Sequence, residues 1–222
     1  MRLLLLLCLL WLLWAPLPAA AEHLAWPPFD AAAQDATFEA YRDRLIAAVE
    51  KRDVNVVVAM ASPDINLSFG GDAGRAALRN DLTGHDNEYF WQTLERVLAE
   101  GGGFQDGLFI APWAFLYEPP ETLDIYSVAI VAGTNVRLRA APSTDAAIIR
   151  ALTYEVVEMP PYDPGREDWA ADATGREWKR VRTTHGEEGW IAASHLRFLL
   201  DHRAGFQKTA AGWQMMFFIA GD

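Results

Sequence analysis

Apolar residues recur at helical spacing between residues 38 and 49, with charged residues between them, which predicts an amphipathic helix. Asp35 or Thr37 is suited to cap its first turn. The apolar stretch 54–61 fits either a short helix or a strand, because its periodicity does not decide between them. Residues 65–69 alternate apolar and polar side chains, which predicts a strand. The apolar positions of the first helix are Phe38, Tyr41, Leu45, Ile46 and Val49.

Two further helices are predicted before residue 103. Asp72 follows two glycines and is a good helix N-cap, so a short helix should begin there. Asn87 is a candidate cap for the next helix, which the glycines at 101–103 should end. Residues 107–117 are apolar and aromatic with one proline among them, which is typical of an edge strand or of a strand with a bulge.

Beyond the proline pair at 119–120 the pattern changes to short strands. Turn residues such as Gly133 and Pro142 separate these runs, and strands of this length and spacing are typical of a small closed or sandwiched sheet. The tail contains two alternating runs around residues 209–212, which predicts a hairpin. The strand-type runs before the tail are 125–132, 135–141, 146–153, 154–159, 177–183 and 188–193.

The first 21 residues have the pattern of an export signal. Arg2 precedes an unbroken apolar run over 3–14, and three alanines follow at 19–21, as in secretory signal peptides. The run is about a dozen residues long, whereas a helix that spans a bilayer needs roughly 20. We therefore expect an exported, periplasmic protein with no stable membrane insertion after the signal is removed; a retained membrane anchor is the alternative.

Charge and cysteine content narrow the classes of partner. The formal charge is −11, and it becomes −12 when residues 1–21 are removed with Arg2 and the single cysteine, Cys8. A mature chain without cysteine has no disulfide, thiol nucleophile or thiolate metal site. Strong acidity argues against nucleic acid, whose phosphates require clustered Lys and Arg. The net charge favours cationic or zwitterionic partners over anionic polymers.

The strand-rich segment resembles the bacterial SH3-type (SH3b) domain. The matching pieces follow in order as Asn135-Val136-Arg137, Pro142-Ser143, Ile149 to Leu152, Trp178 to Val181, Gly189-Trp190-Ile191 and Leu196-Arg197. The resemblance covers roughly residues 125–199, about a third of the chain. It implies a small SH3-like β-barrel that binds a peptide or a peptidoglycan component. The loop 160–176 is longer than is usual in the family and carries acidic and aromatic side chains.

The flanking regions resemble uncharacterised exported proteins of Gram-negative bacteria that carry an SH3-type domain. This likeness rests on residues 64–78, 90–104 and 212–222. A helix packed on a curved sheet is also similar to the nuclear-transport-factor-like (NTF2-like) α+β cone. The resemblance implies an α+β fold class, with a small SH3-like β-barrel inserted in or following an α+β domain made of helix on antiparallel sheet. The expected segments are a signal peptide (1–21), a linker (22–34), the α+β domain (35–124), the barrel (125–199) and a C-terminal hairpin that pairs with the α+β domain (200–222).

The ionisable residues form no recognised catalytic or metal-binding motif. The five histidines, for example His185 and His195, lack the spacing of metal ligands. We therefore predict a non-catalytic binding protein with no cofactor and no metal, whose partner is a cell-wall peptide or an envelope protein. The predicted ligand-binding residues are Tyr154, Tyr162, Trp169, Arg137 and Arg139.

Two alternative functions stay open at this point. The α+β domain 35–124 could hold a cavity with Asp64, Asp72 or Arg75 facing it, and so serve a small-molecule binder or an enzyme. The strand-rich segment could instead dock on its neighbour as a structural scaffold with no ligand.

Overall fold

The computed structural model of the protein describes residues 23–221, so the predicted signal peptide lies outside the described residues. Helices precede most of the strands along the chain. Within the described range the α-helices are α1 (Ala36–Glu50), α2 (Val54–Met60), α3 (Gly74–Thr83) and α4 (Asn87–Ala99).

The strands of residues 23–221 pair into two sheets, which together with the helices make a mixed α+β fold. The strands are β1 (Ala61–Asn66), β2 (Gly103–Gln105), β3 (Leu108–Ala111), β4 (Val128–Val131), β5 (Val136–Arg139), β6 (Ile148–Leu152), β7 (Val156–Glu158), β8 (Trp169–Ala171), β9 (Glu177–Thr183), β10 (Glu188–Ala192), β11 (Leu196–Phe198), β12 (Arg203–Thr209) and β13 (Gly212–Ile219). The first sheet has the order β1-β13-β12-β3-β2. The second has the order β11-β4-β7-β9-β10-β5-β6, with β8 beside β9.

Helix α1 confirms the predicted amphipathic helix and carries the core of the first layer. Asp35 caps it, because its carboxylate accepts hydrogen bonds from the backbone amides of Thr37 at 2.8 Å and Phe38 at 3.1 Å. A further hydrogen bond from the Thr37 hydroxyl helps to lower the pKa of Asp35 to about 2. The buried ring of Phe38 lies 4.2 Å from that of Phe109 and 5.6 Å from that of Phe206, centroid to centroid. This aromatic contact fixes the helix on the first sheet.

The short elements that follow differ in detail from the sequence prediction. The ambiguous stretch 54–61 is helical as α2 and becomes extended at Ala61, where β1 begins. Helix α3 starts after Asp72, which is not its cap; the Asp72 carboxylate instead accepts a hydrogen bond from the Ser68 hydroxyl at 3.0 Å. Asn87 is the first residue of α4 and not its cap. Neither α3 nor α4 has a side-chain hydrogen bond at its N-cap, so the capping residues expected from the sequence do not mark where these helices begin.

The segment expected as a linker, 22–34, is packed on the protein over its described part. Trp26 is buried and its ring stacks on that of Tyr117 at 5.1 Å. The Trp26 amide donates to the carbonyl oxygen of Tyr154 at 2.8 Å. The segment therefore contacts both the region after β3 and the second sheet, because its tryptophan supplies apolar area that a free linker would expose to water.

The C-terminal hairpin supplies the middle of the first sheet. Strand β12 pairs antiparallel with β3 on one side and with β13 on the other, and β13 pairs in parallel with β1. The expected antiparallel sheet is thus mixed, since β1 and β13 run in the same direction. The last two strands of the chain thus lie between strands from its first half. The chain leaves the first sheet after β3, forms the second sheet, and then returns to complete the first.

Strand β4 is buried on both faces and joins the two parts of the molecule. Ala129 and Val131 pack in the apolar cluster of the second sheet, whereas Val128 and Ile130 pack in a second cluster with Trp26 and Trp113. The second sheet runs from β11 at one edge to β6 at the other, so the strand pairings within residues 23–221 do not form the closed barrel that the SH3-type resemblance implied.

Candidate functional site

A groove opens on the second sheet where four segments meet. They are the start of β5, the turn before β6, the loop that leads into β9, and the end of β10 with the short helix after it. The groove has a cavity volume of about 310 Å³. We call it the arginine groove, because Arg137, Arg139 and Arg176 line it together with the buried ring of Trp178.

Arg139 is buried in this groove, although arginine side chains are mostly exposed in folded proteins. Its guanidinium Nη1 donates to the carbonyl oxygen of Ala146 at 2.7 Å, so the turn between β5 and β6 covers it. On the other side β5 meets β10, with Arg139 opposite Trp190. Arg137, two positions earlier in β5, is exposed at the mouth of the groove.

The third arginine is positioned by a carboxylate that organises the loop before β9. Asp172 accepts hydrogen bonds from the Thr174 hydroxyl at 2.6 Å, from the indole Nε1 of Trp178 at 3.0 Å and from the backbone amide of Arg176 at 3.1 Å. These bonds, that of Thr174 foremost, hold the pKa of the Asp172 carboxyl well below its usual range. The Asp172 network therefore fixes the Trp178 ring and the backbone at Arg176 in one arrangement.

The arginine groove is strongly cationic by comparison with the rest of the protein. None of the ten residues that line it is an aspartate or a glutamate. Within residues 23–221, no carboxylate oxygen lies within 4.0 Å of the side-chain nitrogens of its three arginines. Several arginines elsewhere are paired with carboxylates, for example Arg150 with Glu155 at 2.8 Å. The groove thus concentrates unpaired positive charge in an acidic protein.

The five ligand-binding residues predicted from the sequence do not form one site. Arg137 and Arg139 line the arginine groove. Tyr162 lies in a separate depression, and Trp169 is half-exposed on β8. Tyr154 has a backbone φ of 52° in the turn after β6, where its carbonyl holds the N-terminal segment. Its place is therefore in a turn, away from the lining of the groove.

Sequence reasoning missed Arg176, Thr144 and His195, all of which line the arginine groove. Arg176 lies two positions before Trp178, so strand alternation offered a signal that the two share a side. Thr144 and His195 come from a turn and from the short helix after β10, and no local pattern connects them with β5. Their meeting depends on the pairing of β5 with β10.

A second depression on the same sheet is aromatic. Tyr126 and Tyr162 are 73% and 88% exposed, and they border a hollow of about 420 Å³ that also contains Pro160 and Pro161. Large exposed rings on a monomer are typical of a contact surface. Arg182 and Glu158 both line this hollow, so it lacks the one-sided charge of the arginine groove.

The residues considered for a cavity in the helical part have structural partners or face water. The Arg75 guanidinium donates to the carbonyl oxygens of Ala59 and Ala61 at the end of α2 and the start of β1. Asp64 and Asp72 are exposed. The space between α1 and the first sheet is filled by fully buried rings such as Phe109 and Phe206.

The described part of the chain contains neither a cluster of metal-binding side chains nor a membrane-spanning helix. Over residues 23–221, no three His, Cys, Asp or Glu side chains are grouped so that they could hold a metal ion. No helix in the same range combines the length and the apolar character needed to cross a membrane.

Comparison with known proteins gives little family information. No family model matches the chain, and no curated protein matches it. Among solved structures, the chain is similar to an NTF2-like protein with a cystatin-like fold from Novosphingobium aromaticivorans. The two are 16% identical, the match covers 83% of this chain and 88% of that chain, and the TM-score is 0.24. A score this low supports no argument about shared fold or function.

Proposed function

We propose that the protein is a non-catalytic, exported binding protein whose residues 125–199 are an SH3-type module that binds a peptide of the cell envelope. The ligand lies in the arginine groove, along the start of β5. The observation that carries the proposal is the groove itself: a concave surface with an aromatic floor at Trp178 and polar groups at its rim, which is the usual character of a ligand site.

The proposed module is supported by its sequence and by its own core. The SH3-type pieces lie at Asn135-Val136-Arg137, Gly189-Trp190-Ile191 and Leu196-Arg197, and each belongs to strands of the second sheet or adjoins them. Leu138, Val181 and the neighbouring aliphatic side chains form an apolar cluster within residues 129–196. A segment with its own core can hold a groove in a fixed shape, which reduces the entropy lost when a ligand binds.

The groove is accessible, which favours binding over a purely structural role. All its lining residues come from 134–195, so the helical part of the protein does not cover it. The contact between the two parts uses the opposite side of β4, through Val128, Ile130 and Trp113. A scaffold that docked through the groove would bury Arg137, which is exposed.

An enzyme or small-molecule site in the helical part is the second candidate, and packing argues against it. The interior beside α1 is occupied by aromatic rings in contact, with Phe38 and Phe109 at 4.2 Å. Protein interiors packed in this way leave little space for a ligand.

The proposed export to the periplasm is supported by the signal-like pattern of residues 1–21.

Blocking the groove tests the proposal without changing charge. Thr144 is exposed at the groove mouth, so Thr144→Trp should fill it; Thr122→Trp adds the same ring at an exposed position elsewhere and is the matched control. Both variants and the wild type are sedimented with purified peptidoglycan sacculi. We expect the wild type and Thr122→Trp to co-sediment and Thr144→Trp to stay in the supernatant.

The same assay identifies the competing surface. We call the segment 160–176 the aromatic loop, because it carries the exposed rings of Tyr162 and Trp169. The variant Tyr162→Ala/Trp169→Ala changes this loop and leaves the arginine groove unaltered, so it should still co-sediment. If this double variant loses binding while Thr144→Trp keeps it, the ligand lies on the aromatic loop and the groove assignment is wrong. Absence of wild-type protein from the pellet would overturn the peptidoglycan-binding function.

A further inference from the structure

The charge of the arginine groove is opposite to that of the whole protein. The chain carries a formal charge of −11, which by itself favours cationic partners. Direct contacts, however, are set by the groups within a few ångströms of the ligand, because exposed charges more than about 10 Å away are screened by salt. Three guanidinium groups and no carboxylate line this groove; the nearby Asp172 carboxylate is engaged by the Trp178 indole and the Arg176 amide.

We propose that the arginine groove recognises the carboxylate groups of its ligand, so that the preferred ligand is a short peptide with free carboxylates, the C-terminal one among them. This inference rests on the proposed peptide-binding function and specifies its chemistry.

Arg139 is the strongest support for a carboxylate in the groove. Its side chain belongs to a residue only 8% exposed, and its charge is met in the described structure by one carbonyl oxygen, that of Ala146. A charged side chain in a mostly buried position gains more from a partner of opposite sign than an exposed one does, because its surroundings are less polar than water. Because the guanidinium has five N–H donors, it retains donors beyond the one that Ala146 engages.

Arg137 and Arg176 add two guanidinium groups from different elements. Arg137 comes from β5 and Arg176 from the loop before β9, whose backbone the Asp172 network holds in place. Planar guanidinium groups form paired, parallel hydrogen bonds with carboxylates, and these are stronger and more directional than a lysine contact. A ligand carboxylate between the two segments would therefore be held from two sides.

The size and the surroundings of the groove favour a peptide carboxylate over the phosphates of a lipid surface or a nucleic acid. A volume of about 310 Å³ accommodates a short stretch of an extended ligand. Most of the protein's surface charge is negative, so a large anionic surface would be repelled around the groove even while one or two of its charges were attracted. A short peptide presents few charges to the rest of the surface and is therefore repelled less.

Matched peptides separate the carboxylate inference from the binding function. The probes are a synthetic stem pentapeptide, Ala-D-isoGlu-Lys-D-Ala-D-Ala, and the same peptide with both of its free carboxylates amidated; affinities are measured by calorimetry. We expect the acid to bind about tenfold or more tightly than the diamide, which is about 1.4 kcal/mol or more, because charged hydrogen bonds to carboxylates are stronger than neutral ones. In Arg137→Ala/Arg176→Ala, the acid should bind as weakly as the diamide does to the wild type.

The control variant is Arg44→Ala, which removes one exposed arginine from α1, outside the groove. It should leave the preference for the acid unchanged. Equal affinity for acid and diamide in the wild type would overturn the carboxylate inference while peptide binding stands. A further outcome is that neither peptide binds, while the wild type still co-sediments with sacculi and Thr144→Trp does not. In that outcome the groove binds peptidoglycan, but it does not recognise the stem-peptide carboxylates, and the inference is wrong. Arginine-dependent binding to phosphatidylglycerol vesicles in place of the peptide would assign the groove to phosphate and overturn the proposal.

Discussion

Gly189 lies where β10 passes closest to β5. A Cβ atom at this position would lie 2.8 Å from the carbonyl oxygen of Arg139 and 2.8 Å from Cγ of Leu138, both of which are held by the sheet. Real Cβ atoms do not approach backbone oxygens so closely, and the strands would have to separate. The glycine in the Gly189-Trp190-Ile191 motif therefore sets the distance between the two strands, and with it the position of the buried Arg139.

We expect Gly189→Ala to destabilise the protein by about 1–3 kcal/mol, as is usual when a packed site is overfilled. The measurement is the free energy of unfolding from urea titration. Gly70→Ala is the control, because a Cβ there meets no atom closer than 3.5 Å. Equal losses in the two variants would show that the close approach at Gly189 does not limit stability.

Secondary-structure elements show how far local sequence determines the fold. The spacing of Phe38, Tyr41 and Leu45 is sufficient to predict α1, because all three lie on its buried face. The hairpin of β2 and β3 had an equally local signal that was overlooked: Asp106 and Gly107 form its two-residue turn with φ of 51° and 80°. Asp-Gly is favoured in such turns because both positions need positive φ.

The candidate site was less predictable than these elements. Alternation placed Arg137 and Arg139 on the same side of β5, and both do line the groove. Burial of Arg139 depends on a register shift between β5 and β6 and on the turn that folds over its guanidinium, which involve pairing over distance. Arg176 reaches the same groove through the pairing of β9 with β10 and of β10 with β5. Local periodicity contains no information about such long-range registers.

An ion pair between two elements makes the stability of the fold depend on pH. Arg96 in α4 lies 2.8 Å from Asp201, just before β12. Burial raises the pKa of the Asp201 carboxyl, but hydrogen bonds from His202 and Arg96 outweigh it, and the pKa falls well below its usual range. A carboxyl whose pKa is lowered in the folded state stabilises the fold above its unfolded pKa of about 4, and that contribution is lost as the pH falls below it.

We therefore expect Asp201→Asn to be less stable than the wild type at neutral pH and to lose less stability on acidification. The free energies of unfolding of the two proteins should converge below about pH 4. Urea titrations at a series of pH values measure this. Asp64→Asn, which removes an exposed carboxylate with no ion-pair partner in residues 23–221, controls for the change in net charge. Parallel pH curves for the wild type and Asp201→Asn would contradict the assignment.

At the scale of the whole molecule, chain order and spatial order are interleaved. The second sheet begins at β4 and ends at β11, and these strands are paired neighbours, with Ala129 opposite Phe198. The chain therefore leaves and re-enters the first part of the molecule at nearly the same place. Only after this return are β12 and β13 available to fill the gap between β1 and β3.

Removal of residues 200–222 tests this dependence. The deletion takes Phe206, Met215 and Phe218 from the core, and burial of three such side chains contributes roughly 5–9 kcal/mol, which is comparable with the whole stability of a domain. We expect loss of the α1–α4 signal in far-UV circular dichroism, with a protease-resistant fragment near 125–199 remaining.

Phe206→Ala should destabilise the full chain by about 3–5 kcal/mol. The control is the neighbouring exposed residue, where Gln207→Ala should cost less than about 0.5 kcal/mol. Retention of full helical signal by the truncated chain would mean that the helices and β1 to β3 fold without the strands at their centre, which the buried position of Phe206 against Phe38 opposes.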